Sequence, residues 1–131
     1  MSEAAPPPVG TIVWRDLTVE NAEAVREFYQ KVVGWEASPL DQGGYSDFNM
    51  MAPGSDEAVA GVCHARGANA SLPAQWLIYI IVEDVEFSAA ECVRLGGEVV
   101  AGPRLMNGAR FAVIKDPAGA VCALFQPPRA A

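Results

Sequence analysis

The stretch IKDPAGAVCALFQ, residues 114 to 126, decides the fold, because its order of elements has already occurred once in the chain. MMAPGSDEAVAGVCH, residues 50 to 64, runs in the same order: apolar strand, turn with Pro and Gly, strand of small apolar residues. Proline cannot donate to a sheet ladder and glycine takes the positive φ of a tight turn, so each stretch reads as a hairpin ending in a buried strand. Two such hairpins in one short chain point to a duplicated unit.

The segments upstream of each hairpin repeat as well. TIVWRDL, from Thr11, has the β-branched and aromatic residues of a half-buried strand. In VENAEAVREFYQKVVGW the period changes: Asn21 is a candidate N-cap, Ala24, Val25, Phe28, Val32 and Val33 recur every three or four residues, and Gly34 stops the helix. Strands are expected from Trp35 to Ala37, Tyr45 to Met51 and Ala58 to Cys63, completing a β-α-β-β-β order. After the aperiodic connection HARGANASLPA, residues 64 to 74, the segment QWLIYIIVEDVEFSAAECVRLGGEVV restarts with an apolar strand, an acidic helix start at Asp84 and a glycine stop. An offset of 63 places Val19 and Glu20 on Val82 and Glu83, Glu23 on Glu86 and Gly34 on Gly97, and an offset of 62 places Ala58 and Val59 on Ala120 and Val121. The expected class is α+β. It comprises two tandem β-α-β-β-β units, about 11–64 and 75–127, forming a cupped eight-stranded mixed sheet with helices outside, in one domain of residues 11–131 behind a flexible arm of residues 1–10.

Bulk composition narrows the function. A chain of 131 residues that is 51% hydrophobic and 19% charged is long enough to bury a single core. Its net charge of -7 leaves no basic face to neutralise phosphates, so neither nucleic acid nor an anionic membrane is an expected partner. Cys63, Cys92 and Cys122 have no metal-ligand or CxxC spacing and read as apolar packing residues in a reducing compartment. The first ten residues lack a signal-peptide pattern and the longest apolar run, Trp76 to Val82, is far short of a membrane span, which gives an expectation of a cytoplasmic protein.

One helix cannot cover both faces of its sheet, so sidedness locates the candidate site. Alternation sends Val13, Leu17, Phe48, Met50, Ala60, Val62, Ile78, Ile80, Cys122 and Leu124 toward the helices. The other face carries Trp14, Asp16, Tyr45, Asp47, Asn49, Cys63, Tyr79, Phe111 and Phe125, an aromatic lining with a few polar groups of the kind that holds a small molecule. Trp14, Asp16, Tyr45, Asn49, Cys63, Tyr79, Phe111 and Phe125 are the expected ligand-binding set. The candidate catalytic groups are Asp16, an acid among aromatics; Cys63, a nucleophile if ionised; and His64, the sole histidine. Arg104 and Arg110 flank an Asn-Gly turn where they are placed to clamp a carboxylate.

Phe28-Tyr29 before Val33-Gly34-Trp35, and Asp116-Pro117 with Gly119 and Leu124 in the last hairpin, make the chain resemble the vicinal oxygen chelate superfamily over nearly its whole length. That group contains glyoxalase I, bleomycin-resistance proteins and extradiol dioxygenases, and VWRDL with Trp76 is most similar to its uncharacterised glyoxalase-like branch. The resemblance implies a cavity inside a cupped sheet, and pairing of units within a chain or across a homodimer. In metal-dependent members it implies His, Gln or Glu ligands on the first and fourth strands of each unit. Those positions fall on Trp14, Gly61, Leu77 and Ala123, none of which can coordinate, so no metal and no other cofactor is expected. The expected function is metal-independent binding of a small apolar or planar molecule. The alternative is a metal-independent enzyme, isomerase or hydrolase-like, using Asp16, Cys63 or His64; a metal-dependent lyase or dioxygenase is disfavoured.

Overall fold

A computed structural model describes residues 7 to 128, the side chain of Ala68 apart, so the first six residues of the expected arm lie outside the described residues. The chain forms β1 (Ile12–Val19), α1 (Ala22–Val33), β2 (Glu36–Asp41), β3 (Ser46–Met51) and β4 (Ala58–His64), then a short 3-10 turn at Gly67–Asn69. A second series follows: β5 (Trp76–Ile81), α2 (Val85–Arg94), β6 (Glu98–Met106), β7 (Ala109–Lys115) and β8 (Val121–Gln126). The class is α+β, two β-α-β-β-β series with eight strands paired both parallel and antiparallel among the described residues. Two compact units result, one of Trp14–Leu77 and one of the chain on either side, up to Val13 and from Ile78 onward.

In the first unit the strand order is β2-β3-β4-β1, with β1 parallel to β4 and the other pairs antiparallel. Helix α1 packs through Ala22, Val25 and Tyr29 on Phe48, Met50 and Val62. These helix residues stand at i, i+3 and i+7, and the small Ala22, fully buried, lets the backbone come close to the sheet. The expected stripe was a different one. Phe28, Val32 and Val33 are 55%, 64% and 51% exposed, because Tyr29 rather than Phe28 takes the sheet-facing side. The hydroxyl of Tyr29 accepts a hydrogen bond from the indole N–H of Trp76 at 3.1 Å, and its ring lies 5.8 Å from Trp35 and 5.3 Å from Trp76. Asn21 occupies the N-cap without a side-chain cap bond, and Gly34 ends the helix at φ +91° by donating to Gln30.

In the second unit the order is β5-β8-β7-β6, again with the first and last strands of the series parallel. Asp84 caps α2 by accepting from the N–H groups of Glu86 and Phe87, and Gln126 accepts from the N–H of Val85 at 2.9 Å. Val85 then packs with Ala112 and Leu124. The aligned glycines 34 and 97 do different work. The left-handed turn in this unit belongs to Gly96 at φ +97°, whereas a Cβ on Gly97 would lie 2.7 Å from the carbonyl oxygen of Lys115. Ile78, expected to face the helix, is 37% exposed.

Register shows the repeat at the level of the ladder. Asp16 stands opposite Gly61 and Gly61 opposite Asn49; Tyr79 stands opposite Ala123 and Ala123 opposite Val113. No helix among the described residues is long and apolar enough to cross a membrane.

Candidate functional site

Because Phe48, Met50 and Val62 face α1, alternation turns Asp47, Asn49, Gly61 and Cys63 to the other side of the first unit's sheet. Across that side runs a row of paired residues, Ser38, Asn49, Gly61 and Asp16, spanning all four strands. Trp14, Asp16, Asn49 and Cys63 are each partly accessible there. Gly61 is the floor: a Cβ on it would meet Asp16 Cβ at 3.2 Å, Trp14 Cζ2 at 3.4 Å and Cys63 Sγ at 3.7 Å. The glycine therefore lets the indole and the carboxylate-bearing side chain settle against backbone. Four of the expected ligand-binding residues come together in this way. The side chain of Asn49 makes no hydrogen bond to another described residue, so its amide is available on the accessible face.

Cys63 does not provide an ionised nucleophile. Burial, and then the negative charges of Asp16 and Asp47, push its thiol well above the usual range, so it stays protonated at neutral pH. His64 is drawn away from this thiol. Asp47 Oδ1 accepts from the His64 backbone N–H at 2.8 Å and lies 3.2 Å from ring Nδ1, with the two side chains only 14% and 16% exposed. A carboxylate on Nδ1 favours the tautomer that leaves Nε2 unprotonated. Tyr45 lies beside the same imidazole, ring centroids 5.2 Å apart, and Arg66 stacks over Tyr45 at 4.0 Å. Tyr45 thus belongs to the His64 cluster rather than to the Trp14 row. The sequence reading put Asp47 on the right face but missed its pairing with His64. The partners are 17 residues apart and meet only through the β3 and β4 pairing, which leaves no local signal.

The remaining expected residues lie in the second unit. Tyr79 and Phe111 are 7% and 6% exposed and Phe125 is half-buried, a packed apolar row rather than an accessible lining. Phe111 is paired in register with both Arg104 and Phe125. Arg104 lies over the Phe111 ring at 4.8 Å, and Arg110 forms an ion pair with Glu86. The two guanidiniums are thus drawn to different neighbours.

Comparison with known proteins places this geometry. Residues 11–124 match the model of the Glyoxalase/Bleomycin resistance protein/Dioxygenase superfamily. The chain belongs to that superfamily. Among curated proteins it is similar to the putative glyoxylase CFP32 of Mycobacterium tuberculosis, 29% identical over 119 residues, which are 90% of this chain and 44% of the relative. It is also similar to the anthracycline biosynthesis protein DnrV of Streptomyces peucetius, 28% identical over 129 residues, covering 89% of this chain and 47% of that protein. The chain spans about half the length of these curated relatives. Among solved structures, the methylmalonyl-CoA epimerase of Mycobacterium tuberculosis has a TM-score of 0.52 at 17% identity, covering 97% of this chain and 94% of that one. A hypothetical protein of Bacillus halodurans has a TM-score of 0.55 at 14% identity, covering 93% and 97%. At such identities the likeness is one of fold.

As a glyoxalase-superfamily chain, this one is tested for a metal centre by the donors at Trp14, Gly61, Leu77 and Ala123. None offers N, O or S to a divalent ion, and the space over Gly61 is closed by Trp14 and Asp16. Among the described residues no three His, Cys, Asp or Glu side chains gather as a ligand set. These residues do not fit a metal.

Proposed function

We propose that this chain is a metal-independent small-molecule-binding protein of the glyoxalase and bleomycin-resistance type, whose ligand lies on the open face of the Trp14–Leu77 unit. The observation that carries this reading is the row of Ser38, Asn49 and Asp16, each partly accessible, around the buried Gly61 and beside the Trp14 indole. An indole over a glycine floor suits a flat ligand, an amide and a carboxylate beside it give orientation, and a net charge of -7 favours a neutral or cationic molecule. The name of the DnrV relative suggests a probe of this shape, an anthracycline. Titrating it should quench tryptophan fluorescence saturably, and Trp14→Leu should weaken binding at least tenfold while Trp35 and Trp76 remain as internal controls. Unchanged binding by Trp14→Leu would overturn the reading.

A second reading, a metal-independent isomerase or hydrolase-like enzyme, is favoured by the contact between Asp47 and His64, which leaves Nε2 able to accept a proton. Methylmalonyl-CoA is a fitting probe, taken from the name of the structural neighbours. Turnover that His64→Ala abolishes and Asp47→Asn reduces by a factor of ten or more supports catalysis; saturable binding of the probe with its recovery unchanged supports binding alone. Two copies of this chain would approach the length of its curated relatives, and Phe28, Val32 and Val33 leave apolar surface exposed on α1, which supports a homodimer. Light scattering that gives the monomer mass at micromolar protein would contradict it.

A further inference from the structure

We infer that the Trp14–Leu77 unit carries a second small-molecule site, at the C-terminal end of β1, and that it takes a small organic cation. A cavity of about 220 Å³ opens there, roughly seven water volumes. Its two sides differ in chemistry. One is the chain from Thr18 to Asn21, which offers a hydroxyl, a carboxylate and an amide. The other is the connection after β4, where Ala65, Ala70, Leu72 and Ala74 present methyl groups.

The side chains of the polar side have no partner among the described residues. Thr18 is 4% exposed, yet its hydroxyl makes no hydrogen bond with another described residue. Asn21 stands at the N-cap of α1 without capping it, and the carboxylate of Glu20 is in no ion pair among the described residues. Three polar side chains that make no side-chain bond among the described residues thus line the cavity.

The apolar side is held in place. The Ala65 N–H donates to Val19 at 2.9 Å, Ala70 donates to Gly67 at 3.1 Å and Leu72 to Asn69 at 3.2 Å. Upstream, the His64 N–H is fixed by Asp47. A wall bonded in this way keeps the cavity open without a ligand, which lowers the ordering cost of binding.

Charge decides the class of ligand. No Lys, Arg or His lines the cavity, and Glu20 does. The N-terminus of α1 opposes a cation with about half a positive charge. Glu23 in the first turn offsets that, which leaves the carboxylate of Glu20 as the net field. A small amine with a branched apolar tail would place its ammonium among Glu20, Asn21 and Thr18 and its methyl groups against Ala70 and Leu72. Glu20 is exposed, so the preference for a cation is modest, about threefold over an isosteric alcohol.

The test is an amide-resolved NMR titration at pH 7 of the full chain with isobutylamine, isobutanol and isobutyrate, three probes of nearly the same shape. Saturable shifts confined to residues 18–21 and 65–74 are expected, with the amine about threefold tighter than the alcohol and the acid not saturating. Glu20→Gln should make amine and alcohol equal, and Ala70→Phe should remove both. Trp14→Leu should leave the amine titration unchanged, which separates this site from the one on the open face. The proposal is overturned by the absence of saturable shifts, by isobutyrate binding as well as isobutylamine, or by Glu20→Gln leaving the preference intact. A folded Ala70→Phe that still binds would overturn it as well.

Discussion

Two rows of residues at the same place in the two units differ at every position. In the first unit the row reads Ser38, Asn49, Gly61, Asp16; in the second it reads Ala101, Val113, Ala123, Tyr79. Strand order and pairing are the same, so the backbone has been kept while the chemistry has diverged. Val113 and Ala123 are fully buried and Tyr79 nearly so, whereas Asp16 and Asn49 stay partly accessible. The second row stabilises its unit by apolar burial, at roughly 25 cal/mol per Å². The first row gives up that stabilisation and retains groups able to meet a ligand.

Carrying the character of one row into the other should expose this division. The largest effect is expected for Ala123→Asp, which places a charge without a partner at a fully buried position and should cost more than about 3 kcal/mol in urea unfolding. Leu77→Ala should cost roughly 3 kcal/mol because Leu77 is fully buried. Trp14→Ala, at a half-buried site, should cost about half as much and act chiefly on binding. A smaller difference is expected at the row centres. Gly61→Ala must displace Asp16 Cβ and Trp14 Cζ2 from 3.2 and 3.4 Å, and Ala123→Gly loosens a packed strand, each at about 1 kcal/mol by opposite mechanisms.

A separate effect concerns pH. The Cys63 thiol is pushed up in the folded state by burial and by Asp16 and Asp47, while in the unfolded chain a thiol titrates near about 8.5. A raised folded value means the folded state holds the proton longer, so this stabilisation is complete below the unfolded value and lost as pH rises above it. Stability of the wild type should therefore fall from pH 8 to 10 more steeply than that of Cys63→Ala, as read from urea midpoints. Equal slopes would mean the thiol is no more shielded than in the unfolded chain.

The strand and helix order, the duplication and the class were legible from hydrophobic period and turn residues, because both are local signals. Helix α1 shows the limit of period alone: of the apolar stripe Ala24, Val25, Phe28, Val32 and Val33, Val25 packs on the sheet with Ala22 and Tyr29, whereas Phe28, Val32 and Val33 turn to solvent. The Trp14 row was legible through strand alternation, which needs only the period of two. Asp47 with His64 was not, since it depends on how two strands end beside each other. Tyr79 and Phe111, expected in the aromatic lining, are nearly buried, since alternation gives a face but not whether that face is covered. The cavity beyond Thr18 left no trace in the sequence at all, being made by the path of the connection after β4.

Asn49→Val gives the most direct test, since it installs in the first row the residue found at the equivalent place, Val113, of the second. Valine suits a strand, and Asn49 has no internal hydrogen bond to lose, so stability measured by urea unfolding should be unchanged or raised. Binding of the anthracycline probe should weaken at least tenfold in the same protein. Retained binding, or a loss of stability with binding intact, would show that the polar row is part of the scaffold and contradict its assignment as the ligand site.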